Sequence, residues 1–304
     1  MHTFPKSEVT LTPRTVSLTT RKGVEVRRTL PHRDIFMIGA WAFVDHYGPT
    51  TSEEMSVGAH PHIGLQTVSW LFSGEIEHRD SLGSVQLITP GQLNLMTAGG
   101  GIAHSELSLA SAPLHGVQLW IALPKAFRDV APDFAHYGEL PVINKDGVTY
   151  RIFVGDFLGA SSPATIYSEL VGVEFTSPEA GTVEIPTRTD FEYGVLVDEG
   201  SLKINGQGVE PGQLHYIPEG NGSLRIESQG GFRALLLGGL PFEGKIVMWW
   251  NFIASSHGEI VEARKAWEEA SSRFPSFDDR VNHRIPAPEM PNLTLTPRPR
   301  SRVS

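Results

Sequence analysis

Two segments of this chain follow the same order of strand and turn signals, and this repetition limits the fold more than any other feature of the sequence. In each segment a strand-length run ends in glycine, TVSWLFSG at Thr67–Gly74 and YGVLVDEG at Tyr193–Gly200. A Pro-Gly turn then leads into a further strand, PGQLNLM at Pro90–Met96 and PGQLHYI at Pro211–Ile217. Two copies of one supersecondary unit predict a duplicated β domain.

The first copy is composed of short strands joined by turns. Thr67–Phe72 is rich in β-branched and aromatic residues, and Asp80–Gly83 has the composition of a hairpin turn before a strand at Val85–Ile88. Thr97–Gly101 (TAGGG) predicts a tight connection and not a phosphate-binding loop, because no GK[ST] follows it. Short strands without intervening helices favour a sandwich or small barrel. We therefore expect an all-β fold of two tandem barrels, with residues 1–140 in the first and 141–304 in the second.

One helix is predicted near the end of the chain, at Ser256–Ala270. Ser256 and Glu259 have the spacing of a capping box. Ile260, Ala263 and Trp267 then recur on one face at helical spacing, so this face is expected to pack against a barrel.

Composition excludes several classes of protein. The chain has 304 residues, no cysteine and a formal net charge of -9, which excludes disulfides, thiolate catalysis and cysteine–zinc sites and disfavours direct nucleic-acid binding. The basic run at Pro297–Arg302 is interpreted as a solvated tail. No apolar segment has the length of a membrane span or the pattern of a signal peptide, so no membrane association and a cytoplasmic location are expected.

Four residues form the strongest candidate site, a metal centre. Residues i and i+2 of a strand project from the same face, so His60 pairs with His62, and His104 pairs with Glu106. If the two strands are neighbours, three imidazoles and one carboxylate converge, a donor set that suits a borderline metal such as iron and leaves two octahedral positions open. Pro61 cannot donate a backbone hydrogen bond. We therefore expect His60 and His62 to lie on an edge strand of a sheet or at the start of a strand.

Long stretches of the sequence resemble the pirin family. GAHPHIGLQTVSWLFSGEIEHRDSLG (Gly58–Gly83) and PGQLNLMTAGGGIAHSE (Pro90–Glu106) are similar to the motifs of that family nearly residue for residue. FVDHYGP (Phe43–Pro49) and VMWWNFIASSHGEI (Val247–Ile260) resemble further segments, so the likeness spans about residues 20–272.

The resemblance implies a tandem pair of cupin barrels, the double-stranded β-helix or jelly-roll fold. It also implies a single metal, usually iron and here expected as Fe²⁺, although other divalent transition metals can occupy such a site in isolated protein. The metal would lie in the N-terminal barrel, held by His60, His62, His104 and Glu106. These are the four residues that spacing selects independently.

Three functions remain open at this point. Some pirins resemble quercetinases, which would make the chain an iron-dependent dioxygenase acting on a flavonol-like, enolic or phenolic substrate, with Glu106 as catalytic base. Others regulate protein partners such as transcription factors or metabolic enzymes, which would make it a redox sensor. The third alternative is a bicupin stabilised by its metal without catalysis.

Three further residues are candidates for contact with the metal ligands or the substrate. Gln66 occupies the position where general cupins carry a glutamate ligand, and its neutral amide suits a hydrogen bond better than a metal. His46 is a candidate to orient a ligand imidazole, and Met96 a candidate to line the pocket. The remaining histidines considered have no partner at metal spacing and receive no role, namely His78, His115, His136, His257 and His283.

The second barrel is expected to hold no metal. Aligning Gly200 with Gly74 places Pro186 and Arg188 where the first barrel has His60 and His62. Neither residue binds a metal cation. In the same alignment Glu192 corresponds to Gln66, and it would have no second metal ligand beside it.

Overall fold

The structure, a computed structural model, describes residues 7–17, 25–50, 55–109, 112–281 and 283–298. The basic run at Pro297–Arg302 is predicted to be a solvated tail, and its residues from 299 onward lie outside the described residues. The described residues are mostly β-strand with one α-helix, as the sequence predicts.

Twelve strands lie among the described residues of the first half of the chain. In order they are β1 (Val9–Leu11), β2 (Arg14–Ser17), β3 (Glu25–Leu30), β4 (Trp41–Thr50), β5 (Ser56–His62), β6 (Leu65–Ser73), β7 (Glu75–Asp80), β8 (Val85–Ile88), β9 (Leu93–Thr97), β10 (Ile102–Leu109), β11 (Leu114–Ala122) and β12 (Asp133–Tyr137), with a 3₁₀ turn at Lys125–Phe127. The predicted strand at Thr67–Phe72 lies within β6, and the predicted strand at Val85–Ile88 is β8. Both predictions are confirmed.

Fourteen further strands and one helix follow in the part of the second half that the structure describes. They are β13 (Val142–Lys145), β14 (Val148–Val154), β15 (Asp156–Phe157), β16 (Ala160–Ser161), β17 (Leu170–Ser177), β18 (Gly181–Pro186), β19 (Glu192–Glu199), β20 (Leu202–Ile204), β21 (Gln207–Val209), β22 (Leu214–Ile217), β23 (Ser223–Ser228), β24 (Phe232–Gly239), β25 (Val247–Trp249), β26 (Phe252–Ala254) and α1 (His257–Glu268).

The strand order confirms the duplication. The first barrel has a seven-stranded sheet, β12-β9-β6-β11-β4-β3-β2, over a four-stranded sheet, β5-β10-β7-β8. The second repeats both, as β1-β22-β19-β24-β17-β14-β13 and β18-β23-β20-β21. Gly74 and Gly200 follow the equivalent strands β6 and β19, and both adopt positive φ, at 81° and 75°. Each ends its strand in the left-handed conformation that glycine adopts most easily.

The two seven-stranded sheets pack face to face through a continuous apolar core. This core joins side chains of β6 and β11, such as Val68 and Leu119, to side chains of β19 and β24, such as Leu196 and Leu237. Trp70 crosses it to donate from Nε1 to a carboxylate oxygen of Glu174, at 2.6 Å. Alternate residues of the same strands face the two barrel interiors, because strand side chains alternate with a period of two.

One edge strand links the two halves of the chain. β1 precedes the first barrel in sequence but pairs with β22 of the second, whereas β12 follows the first barrel and pairs with β9 within it. The division of the chain at residue 140 remains a prediction.

The end of the chain packs on the first barrel. α1 buries Ile260, Ala263 and Trp267 against a cluster that includes Ala59 and Ala103 from β5 and β10. Ser256 caps the helix as predicted, because its hydroxyl accepts the backbone N–H of Glu259 at 3.3 Å. The carboxylate of Glu259 accepts the backbone N–H of Ser255, one residue before the cap, at 2.9 Å. No helix in the described part of the chain has the length and apolar character that crossing a membrane requires.

Candidate metal centre

Three histidines meet inside the first barrel. β5 and β10 are antiparallel neighbours in which His60 lies opposite His104, and His62 follows on the same face of β5. Nε2 of His62 lies 3.1 Å from Nε2 of His104. One ring nitrogen from each of the three residues lies within 4.8 Å of those of the other two. The alternation of strand side chains thus brings together the three imidazoles that the sequence pairs predict.

The tautomers of His60 and His62 are fixed by carbonyl oxygens. Nδ1 of His60 lies 2.9 Å from the carbonyl oxygen of Gly58, and Nδ1 of His62 lies 3.1 Å from that of Asn251. A carbonyl only accepts hydrogen bonds, so each Nδ1 carries the proton and donates. Each neutral ring therefore has its lone pair on Nε2, the atom available to a metal.

His104 is oriented through a second histidine. Its Nδ1 lies 3.3 Å from Nδ1 of His78, whose Nε2 lies 3.0 Å from a carboxylate oxygen of Asp80. When a neutral His78 donates from Nε2 to the carboxylate, its Nδ1 accepts and Nδ1 of His104 donates. Nε2 of His104 is then free as well. Chains of this kind orient metal-bound histidines.

Burial keeps the three imidazoles neutral. It lowers the pKa of His60 to about 4 and lowers the pKa of His62 and His104 well below the usual value. Desolvation penalises the protonated form, and neighbouring histidines add to the effect. Three neutral imidazoles with convergent lone pairs fit a transition-metal ion, whereas three imidazolium groups would repel it.

Glu106 provides the nearby carboxylate. It follows His104 on β10 after a register irregularity against β5, and its Oε1 accepts a hydrogen bond from Ser69 Oγ at 3.1 Å. Burial raises the pKa of Glu106. Glu106 and the three histidines all line one cavity. Their assignment as a complete set of ligands remains a prediction.

The C-terminal segment covers the open edge of β5, the outer strand of its sheet. Ile253 N–H donates to the carbonyl oxygen of Ile63, and Ile285 N–H donates to that of Ala59. A Cβ at Gly58 would lie 1.9 Å from the carbonyl oxygen of His283, so glycine permits this close approach. The edge position that Pro61 predicts for this strand is confirmed.

A cavity of about 260 Å³ opens beside the three histidines. Phe43 and Trp120 stack on one another in its wall, with ring centroids 4.0 Å apart, and Trp250 contributes a further aromatic surface. Arg28 forms a bidentate pair with Asp45 at 2.6 Å for each contact. The cavity therefore combines flat apolar walls with few charged groups.

Tyr47 was not singled out by the sequence. Its side chain lines the cavity, and its buried hydroxyl has no hydrogen-bond partner among the described residues. Burial raises its pKa well above the usual value, so the hydroxyl stays protonated. Alternation along the strand could have indicated Tyr47 from the sequence, because Phe43, Asp45 and Tyr47 share one face of β4.

Three residues that were candidates for contact with the metal ligands or the substrate, Gln66, His46 and Met96, do not line this cavity. Gln66 lies on the face of β6 that points away from the cavity. Its Nε2 donates to the carbonyl oxygen of Thr165, in the second half of the chain, at 3.0 Å. Met96 packs in an apolar cluster that also contains Phe43 and Trp120, and it does not line the cavity. His46 points toward the second barrel, because residues 45 and 47 of β4 take the cavity face.

Two histidines that received no role, His78 and His115, belong to buried groups of titratable side chains. His78 belongs to the chain that orients His104, and His115 lies with His46 and Asp198 in a second buried group. The expectation that His115 has no partner at metal spacing is wrong, because these residues are brought together from three strands. His78 and Asp80 are themselves an i, i+2 pair, a signal present in the sequence.

The corresponding region of the second barrel is apolar. Residues such as Ile185 and Ile226 fill its interior, while Arg188 forms a surface ion pair with Glu169 at 2.8 Å. Glu192 does not stand alone, since its carboxylate accepts from the backbone N–H of Gly39 and from the hydroxyl of Tyr216, at 2.7 and 2.8 Å. That this barrel binds no metal remains a prediction.

Comparisons with known proteins agree with this architecture. A family model described as Pirin matches residues 23–121, and one described as Pirin C-terminal cupin domain matches residues 172–275. A protein of Pseudomonas aeruginosa named "Putative quercetin 2,3-dioxygenase" is 46% identical over 88% of this chain and 87% of its own. Human pirin is 26% identical over 83% of this chain and 89% of its own.

Among solved structures, a quercetin 2,3-dioxygenase from Acinetobacter baumannii is similar to this chain. It superposes with a TM-score of 0.91 at 40% identity and covers 94% of this chain and 96% of its own. The likeness therefore includes both barrels and the segments between them.

Proposed function

Since the chain belongs to the pirin family of proteins with two cupin domains, we propose that it is an iron-dependent dioxygenase of the quercetinase type. The substrate class is a flavonol-like compound with an enolic or phenolic hydroxyl. The observation that carries the proposal is the convergence of three neutral imidazoles beside a buried carboxylate, in a cavity with aromatic walls. The names of the relatives from Pseudomonas and Acinetobacter support the same reaction class.

We assign Nε2 of His60, His62 and His104, together with Glu106, as the ligands of one Fe²⁺ ion. We call this set the first centre. A bound Fe²⁺ would supply Lewis acidity toward a substrate hydroxyl and open positions for substrate and dioxygen. Asn251, Gly58 and His78 hold the three imidazoles in the tautomer that this assignment requires.

Glu106 is the proposed base. Its Oε1 is held by Ser69 at 3.1 Å, and we assign Oε2 to accept the proton of the substrate hydroxyl. A carboxylate that lies beside the bound hydroxyl can take up its proton as the substrate binds, which is the role of a positioned general base. Loss of that proton leaves the substrate electron-rich, which its reaction with dioxygen requires.

The cavity walls are proposed to bind and orient the substrate. The stacked rings of Phe43 and Trp120 offer a flat apolar surface to a planar aromatic ring. The hydroxyl of Tyr47 is a donor without an acceptor among the described residues, so we assign it to a substrate oxygen. Filling the cavity would also exclude water from the region around Glu106.

The test is activity of the protein loaded with Fe²⁺ under anaerobic conditions. Quercetin loss and oxygen uptake are measured for wild type, for Glu106→Gln and for free Fe²⁺ at the same concentration. We expect wild type to exceed free iron and Glu106→Gln to lose at least about 100-fold in rate, the usual contribution of a positioned general base. Glu139→Gln, at an exposed carboxylate, is the matched control.

Two outcomes would contradict parts of the proposal. If iron-loaded wild type is no faster than free iron, the dioxygenase assignment fails. If Glu106→Gln retains its iron and the full rate, the reaction class stands and the assignment of the base fails.

A further inference from the structure

A second group of potential ligands lies between the two barrels, apart from the cavity. It consists of His46 on β4, His115 on β11 and Asp198 on β19, and all three side chains are buried. We call it the interface cluster. Nε2 of His46 and Nε2 of His115 lie 3.1 Å apart, and each lies 2.7 Å from Oδ1 of Asp198. Three ligating atoms therefore form a triangle with sides near 3 Å.

Strand pairing explains why the two histidines meet. His46 lies opposite Val117 across the β4–β11 pair, so both point to the same face of the sheet. His115 precedes Val117 by two residues and shares that face. Val117 belongs to the core between the two barrels, which places both imidazoles at the edge of this core.

A β-bulge explains the position of Asp198. Val197 pairs with Ala234, and Glu199 pairs with Arg233, which leaves Asp198 as the extra residue of β19. Bulges redirect side chains out of the regular alternation. Arg233 Nε donates to Oδ2 of Asp198 at 2.6 Å and holds the carboxylate so that Oδ1 lies at the two histidines.

The contacts within the cluster resemble those of the first centre. Oδ1 of Asp198 is buried and lies 2.7 Å from both ring nitrogens, and although burial alone would raise the pKa of this carboxyl, the contacts with His115 and His46 lower it. The two Nε2 atoms are also too close to hold two protons between them. In the first centre, Nε2 of His62 and His104 have the same separation of 3.1 Å. Such convergence is expected of atoms that share one ion.

The donor atoms of the cluster suit a divalent cation. Burial lowers the pKa of His46, and Arg27, whose Nη2 lies 3.1 Å from Nε2 of this ring, acts in the same direction, so the imidazole is neutral. Two imidazoles and one carboxylate are ligands for zinc and for other divalent transition metals.

We propose that the interface cluster is a second metal site, which binds a divalent transition-metal ion of the zinc class through Nε2 of His46, Nε2 of His115 and Oδ1 of Asp198. The first two ligands come from the first barrel and the third from the second barrel, so the ion joins the two barrels. The site is separate from the cavity, because His46 is on the face of β4 opposite Asp45 and Tyr47. It does not depend on the proposed dioxygenase reaction.

The experiment is a zinc titration of protein first stripped by a chelator, with bound zinc measured after gel filtration. Wild type is expected to retain two zinc ions per chain. His115→Gln should retain one, His104→Ala should retain one, and the double variant should retain none. His136→Gln is the matched control, since His136 belongs to neither group, and should retain two.

Anomalous diffraction from zinc-loaded wild-type crystals provides a test that needs no variant. A peak bonded to His46, His115 and Asp198 is expected in addition to the peak at the first centre. Equal zinc content in wild type and His115→Gln, or an anomalous map with no peak among these three residues, would overturn the proposal. Should His115→Gln fail to fold, Asp198→Asn replaces it, because the amide oxygen can still accept from Arg233.

Discussion

His104 and His78 face each other through their Nδ1 atoms, which lie 3.3 Å apart inside the first barrel. Asp80 accepts from the other nitrogen of His78 and so determines which atom of His104 is free for a metal. His78 therefore acts on the first centre without belonging to its ligands. The first prediction tests this relationship.

Substitution of His78 by glutamine should weaken metal binding at the first centre by about 10- to 100-fold, because outer partners of metal-bound histidines contribute that much to affinity. Competition with a chelator measures the dissociation constant. His136→Gln is the control. Equal affinity in wild type and His78→Gln would show that His78 is only a packing partner of Phe134, on which its ring stacks.

Removing a metal ligand should reduce metal binding at the first centre more than removing His78 does. His104→Ala should lose the iron of the first centre after anaerobic loading, because the remaining groups no longer surround the ion. The barrels should stay folded, since their apolar cores are unchanged. Elemental analysis and circular dichroism measure the two effects. Full iron occupancy in the variant would refute the ligand assignment.

A third prediction concerns pH and the metal-free protein. The pKa of His60 is about 4 in the fold, against an ordinary value of 6.5. Because the folded value is the lower one, the unfolded chain takes up the proton first as the pH falls. The contribution of neutral His60 to the free energy of unfolding is complete above about pH 6.5 and is lost as the pH falls from about 6.5 to 4. The free energy of unfolding falls by roughly 3 kcal/mol over this range.

Urea unfolding at several pH values measures this loss. His60→Gln should show a smaller fall in the free energy of unfolding over the same range, and His257→Gln, outside the first centre, should behave as wild type. A pH dependence that is unchanged in His60→Gln would contradict the prediction.

Tyr47 should affect substrate binding more than metal content. Tyr47→Phe removes only the hydroxyl, so the iron content should not change. We expect KM for quercetin to rise by about 2- to 10-fold, the equivalent of one hydrogen bond. Steady-state kinetics with measured iron content provide the test. An unchanged KM would mean that Tyr47 does not contact this substrate.

The C-terminal helix should contribute substantially to stability. Trp267 is buried against the first barrel, and its Nε1 donates to the carbonyl oxygen of Ile285 at 2.9 Å. Trp267→Ala should lower the free energy of unfolding by about 3–5 kcal/mol, the usual cost of a large cavity. Val261→Ala, on the exposed side of the same helix, should change it by less than about 0.5 kcal/mol.

The sequence by itself determined the features that depend on local periodicity. The pairs His60 with His62 and His104 with Glu106 follow from alternation along a strand, and the duplicated order of glycine and Pro-Gly turns predicts two similar barrels. The helix follows from its capping box and apolar spacing. Each of these arguments uses residues that are close together in the chain.

Only the tertiary structure decided which face of each strand meets the cavity. Alternation places Gln66 and His46 on one face or the other, but strand pairing and the packing of the two large sheets decide that both face the second barrel. The interface cluster combines residues from three strands and depends on a bulge at Asp198. Asn251, which fixes the tautomer of His62, is likewise remote in sequence. Such contacts depend on register and on sheet packing, which are set by non-local pairing and not by local periodicity.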